Sequence, residues 1–98
     1  MPKIAINGFG RIGRQVFKIL LERYPNLSIV AINDLTDTKT LAHLLNYDSL
    51  YGMYSKRAKG QGDKILLNGY EVKVYSEKNP AQLPWKEIEA DIILECTG

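Results

Sequence analysis

The chain has 98 residues, 45% of them hydrophobic and 24% charged, with 13 Lys and Arg against 11 Asp and Glu, a net charge of +2 and one cysteine. These values exclude a disordered or fibrous polymer, an internal disulfide framework and a zinc site built on paired cysteines. They also argue against a nucleic-acid partner, because the densest basic stretch, residues 55–64 (SKRAKGQGDK), is punctuated by glycine, lacks aromatic residues and reads as a solvated loop.

The first element is KIAIN (Lys3 to Asn7), a β-prone run too short for a helix that leads straight into Gly8, Gly10 and Gly13. It reads as a buried strand. From Arg11 to about Tyr24, Ile12, Val16, Ile19 and Leu20 recur at helical spacing, with Phe17 and Leu21 widening the apolar stripe. Pro25 and Asn26 end that helix. LSIVAIND (Leu27 to Asp34) is continuous and β-branched, as expected of a central strand covered on both faces. A right-handed connection then places the glycine turn and Asp34 together at the carboxyl ends of neighbouring parallel strands.

TDTKTLAHLLNY (Thr36 to Tyr47) reads as a second helix, capped by Thr36 or Asp37, with Leu41, Leu44 and Leu45 on its inner face. After a less regular tyrosine-rich piece, KILLNGYEVKVY (Lys64 to Tyr75) gives two β-prone runs joined by Asn68-Gly69, the signature of an antiparallel hairpin with a type I′ turn. Residues 76–90 form a polar connection with Pro80 and Pro84 and room for one helical turn. ADIILECTG (Ala90 to Gly98) supplies a last buried strand. No repeat or low-complexity segment interrupts this order.

No window approaches the ~18 uninterrupted apolar residues of a membrane span, and the N-terminus lacks the charged region and apolar core of a signal peptide. The expected location is cytoplasmic, with no membrane partner, and a lone cysteine suits a reducing compartment.

Three glycines at this spacing are weak evidence alone, but their context assigns each a task. A strand that ends in a glycine turn and opens a helix presents the helix's first N–H groups and positive dipole end to a ligand, and a pyrophosphate suits that place. Gly8 permits the turn, Gly10 clears the path of a phosphate to the backbone, and Gly13 lets helix and strand pack closely. Asp34, 21 positions after Gly13, stands where a carboxylate accepts hydrogen bonds from an adenosine ribose. A negative charge there repels a 2′-phosphate, favouring NAD over NADP. Asn7 serves equally well as a brace of the loop or as a ligand contact. Arg11, opposing the dipole at a helix start, makes more sense beside a phosphate.

Six segments in order, INGFGRIGR (ending at Arg14), AINDLTD (Ala31 to Asp37), LAHLLNYDSLYG (Leu41 to Gly52), NGYEVKV (Asn68 to Val74), PWKE (Pro84 to Glu87) and ECTG (Glu95 to Gly98), resemble the N-terminal part of phosphorylating glyceraldehyde-3-phosphate dehydrogenase. The resemblance covers essentially the whole chain. It implies a Rossmann-type α/β fold, with a mostly parallel sheet, an inserted β-hairpin and an incomplete C-terminal end. Residues 1–98 then form the N-terminal portion of an NAD-binding domain, and the catalytic domain lies outside them. The cofactor implied is NAD, held by Asn7, Gly8, Phe9, Gly10, Arg11, Ile12, Gly13, Asn33, Asp34, Lys78, Thr97 and Gly98. Other implied partners are the catalytic domain and identical subunits of a tetramer in glycolysis.

Departures from the family pattern are Tyr51 in place of a common histidine, Asn79 in place of aspartate and Cys96 in place of serine. Cys96 before Thr97-Gly98 also resembles erythrose-4-phosphate dehydrogenases, which keeps that substrate open. The family's Ser-Cys-Thr-Thr-Asn nucleophile stretch is absent from these 98 residues. Cys96 closes an apolar run and His43 sits among leucines, so both read as packing residues and no catalytic residue or metal site is expected. A separate NAD-binding module without turnover, or an interaction fragment with an open sheet surface, are the alternatives.

Overall fold

The computed structural model describes residues 2–24, 26–47, 58–67 and 70–96. In chain order these are β1 (Lys3–Asn7), α1 (Arg11–Arg23), β2 (Ser28–Asn33), α2 (Thr38–Tyr47), β3 (Ala58–Gln61), β4 (Lys64–Leu67), β5 (Tyr70–Tyr75), a single 3₁₀ turn (Pro80–Gln82), α3 (Trp85–Ile88) and β6 (Ile92–Glu95). One mixed sheet runs β3-β4-β5-β2-β1-β6. β1 pairs in parallel with β2 and β6, and β2 with β5, whereas β3, β4 and β5 form an antiparallel meander. β5 therefore belongs to both the hairpin and the parallel half. The Asn68-Gly69 turn expected between its strands lies outside the described residues.

Apolar side chains divide between the two sheet faces. Ile4, Ile6, Ile29, Ile32, Ile65, Leu67, Val72 and Val74 pack with Phe17 of α1 and Leu41, Ala42 and Leu45 of α2 in the larger core. Burial of each large side chain contributes about 1.5–3 kcal/mol. The other face carries a smaller cluster in which Ala5 and Ala31 meet Leu83 and Ile88 of the polar connection, so that segment covers the sheet as well as crossing it. Where one helical turn was expected between residues 76 and 90, the structure has two, the 3₁₀ turn and α3.

Helix α1 is rotated from the position its apolar spacing suggests. Gly13 and Phe17 are buried, Val16, Leu20 and Leu21 are half-buried, but Ile12 and Ile19 remain 59% and 47% exposed. The cause is Gly13, whose missing side chain lets the helix back onto the Gly8 carbonyl and turns positions 12 and 19 outward.

Two further expectations need correction. Residues 58–61, read as part of a solvated basic loop, form strand β3 with Ala58 buried. The anchor is Asn46 of α2, whose Oδ1 accepts the Ala58 N–H at 2.8 Å while its Nδ2 donates to the Ala58 carbonyl at 2.9 Å. Residues 55–57 lie outside the described residues. The last strand, expected to be buried, is an edge strand with Ile92 and Ile93 45% and 47% exposed, because only β1 flanks it.

Asp37, not Thr36, caps α2: its Oδ1 accepts the Thr40 N–H at 2.7 Å. That bond, with a second from the Thr40 side chain, holds the exposed Asp37 carboxyl below the usual carboxylate range. The folded-state pKa is depressed, so this stabilisation is present above the unfolded pKa and lost as pH falls through the folded value. Asp37→Ala is expected to lower the thermal midpoint at neutral pH and to converge with wild type in strong acid. A difference that is independent of pH between 7 and 2, as ranges of ~5 units usually suffice to titrate a carboxylate, would overturn this assignment.

Candidate functional site

The parallel strands β5, β2, β1 and β6 end at the same edge of the sheet, and the chain reverses its direction of progress across the sheet between β1 and β6. Open α/β sheets take ligands at such a point. There the structure has an open cleft of about 480 Å³ lined by Asn7, Gly8, Asn33, Asp34, Leu35, Glu77, Lys78 and Glu95.

The glycine turn enters this cleft from β1. Gly8 has φ +96°, a conformation that side chains resist, and its N–H donates to the Asn33 carbonyl at 2.8 Å. Gly10 differs: its φ of −78° suits any residue, and an added Cβ would meet nothing within 4 Å. Neither backbone strain nor internal packing requires a glycine there. The space in front of it is free for a ligand. Gly10 also precedes α1, which has no side-chain cap and no acidic residue in its first turn, so no side chain of the helix itself offsets its positive end.

Asp34 joins this turn directly. One carboxylate oxygen accepts the Phe9 N–H at 2.8 Å and the other accepts the Thr36 N–H at 2.9 Å. A carboxylate has about four lone-pair positions, which leaves acceptor capacity for two hydroxyls. The expected meeting of Asp34 with the glycine turn is thus present as a hydrogen bond.

Asn7 and Asn33 form the floor. Asn33 Nδ2 donates to Asn7 Oδ1 at 2.9 Å and to the Glu77 carbonyl at 3.0 Å, and Asn33 Oδ1 accepts the Glu77 N–H at 2.9 Å. Asn7 Nδ2 donates to both Glu95 oxygens, at 2.9 and 3.1 Å. Both amides are buried. Their hydrogen bonds make them braces of the cleft before they are contacts for a ligand.

The remaining expected residues divide by position. Phe9 is buried and meets Phe17 edge to face at 5.5 Å, so only its main chain is available at the turn. Arg11 and Ile12 are exposed on the first turn of α1, and Lys78 is exposed at the cleft. Thr97 and Gly98 lie outside the described residues. Glu77, Glu95 and Leu35 were not singled out by sequence reasoning. Glu95 had one available signal, a charged residue closing the apolar run IILE.

Cys96 is half-buried, and burial followed by the neighbouring Glu95 charge pushes its thiol up, opposite to the direction that activates a nucleophile. His43, read from its leucine neighbours as a packing residue, is instead exposed on α2, because it points away from the face that carries Leu41 and Leu45, and it does not line the cleft. Among the described residues no cluster of His, Cys, Asp and Glu fits a metal ion, and no helix is long and apolar enough to cross a membrane.

Comparison with known proteins matches residues 2–98 to the family described as glyceraldehyde 3-phosphate dehydrogenase, NAD binding domain. Similar proteins include the glyceraldehyde-3-phosphate dehydrogenases of Borreliella burgdorferi, 54% identical over 98% of this chain and 28% of the relative, and of Thermotoga maritima, 50% identical over 100% of this chain and 30% of the relative. That of Clostridium pasteurianum is 52% identical over 100% of this chain and 29% of the relative. The chain spans less than a third of the length of these relatives. With a Rossmann-type sheet, a glycine turn tied to an acidic residue and this match in hand, the chain belongs to the family of the NAD-binding domain of glyceraldehyde 3-phosphate dehydrogenase.

Proposed function

We propose that residues 1–98 form the N-terminal portion of the NAD-binding domain of a phosphorylating dehydrogenase acting on glyceraldehyde 3-phosphate, working as a cytoplasmic tetramer in glycolysis. The observation that carries this reading is the bond from the Phe9 N–H to Asp34, which sets a ribose acceptor beside the open space at Gly10.

In this reading the main chain from Gly8 to Gly13 and the start of α1 receive the pyrophosphate, with Arg11 adding positive charge. Asp34 accepts the adenosine ribose hydroxyls. Ile12 and Lys78 flank the nucleotide, and Asn7 and Asn33 hold the floor. Thr97 and Gly98, next in sequence after Cys96, complete the set of residues assigned to the cofactor. Bound NAD supplies a ring that accepts hydride. The thiolate and the base come from outside residues 1–98, consistent with the raised thiol of Cys96 and the position of His43.

Calorimetric titration of the intact protein tests the assignment. Saturable binding that prefers NAD to NADP is expected, and no binding by folded protein would overturn it. Gly10→Val is expected to weaken NAD binding at least tenfold while leaving the circular dichroism spectrum unchanged, because the new side chain enters space that only a ligand uses. Equal affinity would show that no phosphate approaches Gly10.

A further inference from the structure

The hydrogen bonds around Asn7 continue across the sheet. Glu95 at the end of β6 accepts from Asn7 at the end of β1, Asn7 accepts from Asn33 at the end of β2, and Asn33 pairs with the main chain of Glu77, two residues beyond β5. The main chain repeats the link between β6 and β1, since the Cys96 N–H donates to the Asn7 carbonyl at 2.8 Å. Four strand ends are tied by one row of groups beneath the cleft.

The row has a direction set at one end. An Asn amide can be turned either way in its site, with donor and acceptor exchanged. A carboxylate only accepts, so Glu95 requires the Nδ2 end of Asn7. That leaves Oδ1 for Asn33, which in turn presents its own donor to Asn7 and to Glu77. Hydrogen bonds to a charged acceptor are roughly twice as strong as neutral ones, and the charge here lies on Glu95 alone. Asn7 is also the residue before Gly8, where the chain turns toward the space that the nucleotide takes.

We infer that Glu95 is a positioning residue for the nicotinamide dinucleotide: through the Asn7 amide it fixes the strand ends and the glycine turn in the geometry that receives the cofactor. This role rests on the NAD-binding reading above. Glu95 acts through Asn7 and not as an acceptor for the ligand.

The test uses the intact protein and NAD itself, with Glu95→Ala, Glu95→Gln, Asn7→Ala and the Asn7→Ala/Glu95→Ala double variant. Glu95→Ala is expected to weaken NAD binding about tenfold, equivalent to about 1.4 kcal/mol. Glu95→Gln, which keeps one acceptor oxygen, should recover part of that loss. The rise in thermal midpoint produced by saturating NAD should shrink in the same order. In the Asn7→Ala background, Glu95→Ala should add less than a twofold loss, because the two residues act as one unit.

Additive losses would overturn the proposal by showing that Glu95 acts independently of Asn7. A lower midpoint for the free Glu95 variants with unchanged NAD affinity would also overturn it, leaving a bond that serves the fold alone. Failure of the wild-type protein to bind NAD is a separate result, which removes the functional reading and this role together.

Discussion

Gly13→Ala is expected to destabilise the fold by about 1–3 kcal/mol, the range for forcing extra atoms into a packed site, and Gly13→Val by more. A Cβ at position 13 overlaps the Gly8 carbonyl oxygen and lies 3.1 Å from the carbonyl carbon. Both atoms are main chain, so no rotamer change relieves the clash. Cys96 Cβ, at 3.6 Å, limits movement on the side of β6. Either α1 must lift from the sheet or the turn at Gly8 must shift, and the turn is already constrained by its bond to Asn33. Denaturant unfolding reads the loss as a lower midpoint. The contrast with Gly10 is the informative part: position 13 should lose stability and position 10 should lose ligand. An unchanged midpoint for Gly13→Ala would show that helix and strand do not need this close approach.

Asp34→Ala is expected to reduce NAD affinity by roughly 10- to 100-fold, from the loss of hydrogen bonds to a charged acceptor worth about 1.5–3 kcal/mol. It should also relax discrimination against NADP, since the charge that repels a 2′-phosphate is gone. The structure adds a second effect. The Phe9 and Thr36 N–H groups lose their acceptor, so the glycine turn loosens even without ligand. Asp34→Asn separates the two, because its carbonyl keeps one of those bonds while the charge is removed. It should therefore retain more NAD affinity than the alanine variant and still accept NADP more readily. Unchanged NAD affinity and unchanged preference in Asp34→Ala would place the ribose elsewhere.

Much of this organisation is legible in the residues because local pattern and tertiary demand coincide. KIAIN and LSIVAIND are β-branched, bounded by turns and buried as strands; the run at Lys64 to Tyr75 has both a β pattern and a turn signal, and its strands pair as the spacing requires. Strand β3 was not legible, because AKGQ has no apolar alternation and is fixed by main-chain pairing and by Asn46. The rotation of α1 was hidden for a related reason: apolar spacing marks a broad stripe, and a glycine contact decides which part of it faces inward. At the site, the glycines and Asp34 follow from a spacing rule with a mechanism behind it. The link from Glu95 to Glu77 has no such rule, since it joins residues 18 positions apart in sequence through partners on two other strands.

Asn33 and Asn46 share one device, a side-chain amide paired with both the N–H and the carbonyl of a distant residue, Glu77 in one case and Ala58 in the other. The pairing is asymmetric in what it asks of the sequence. Positions 77 and 58 contribute only main chain to these pairs, and what constrains their side chains lies elsewhere: Ala58 is buried in the larger core and Glu77 lines the cleft. Positions 33 and 46 must offer a donor and an acceptor on one short planar group, which aspartate lacks and glutamine carries one carbon too far. Each pair by itself therefore restricts the residue type at 33 and 46 and places no demand on the side chains at 77 and 58.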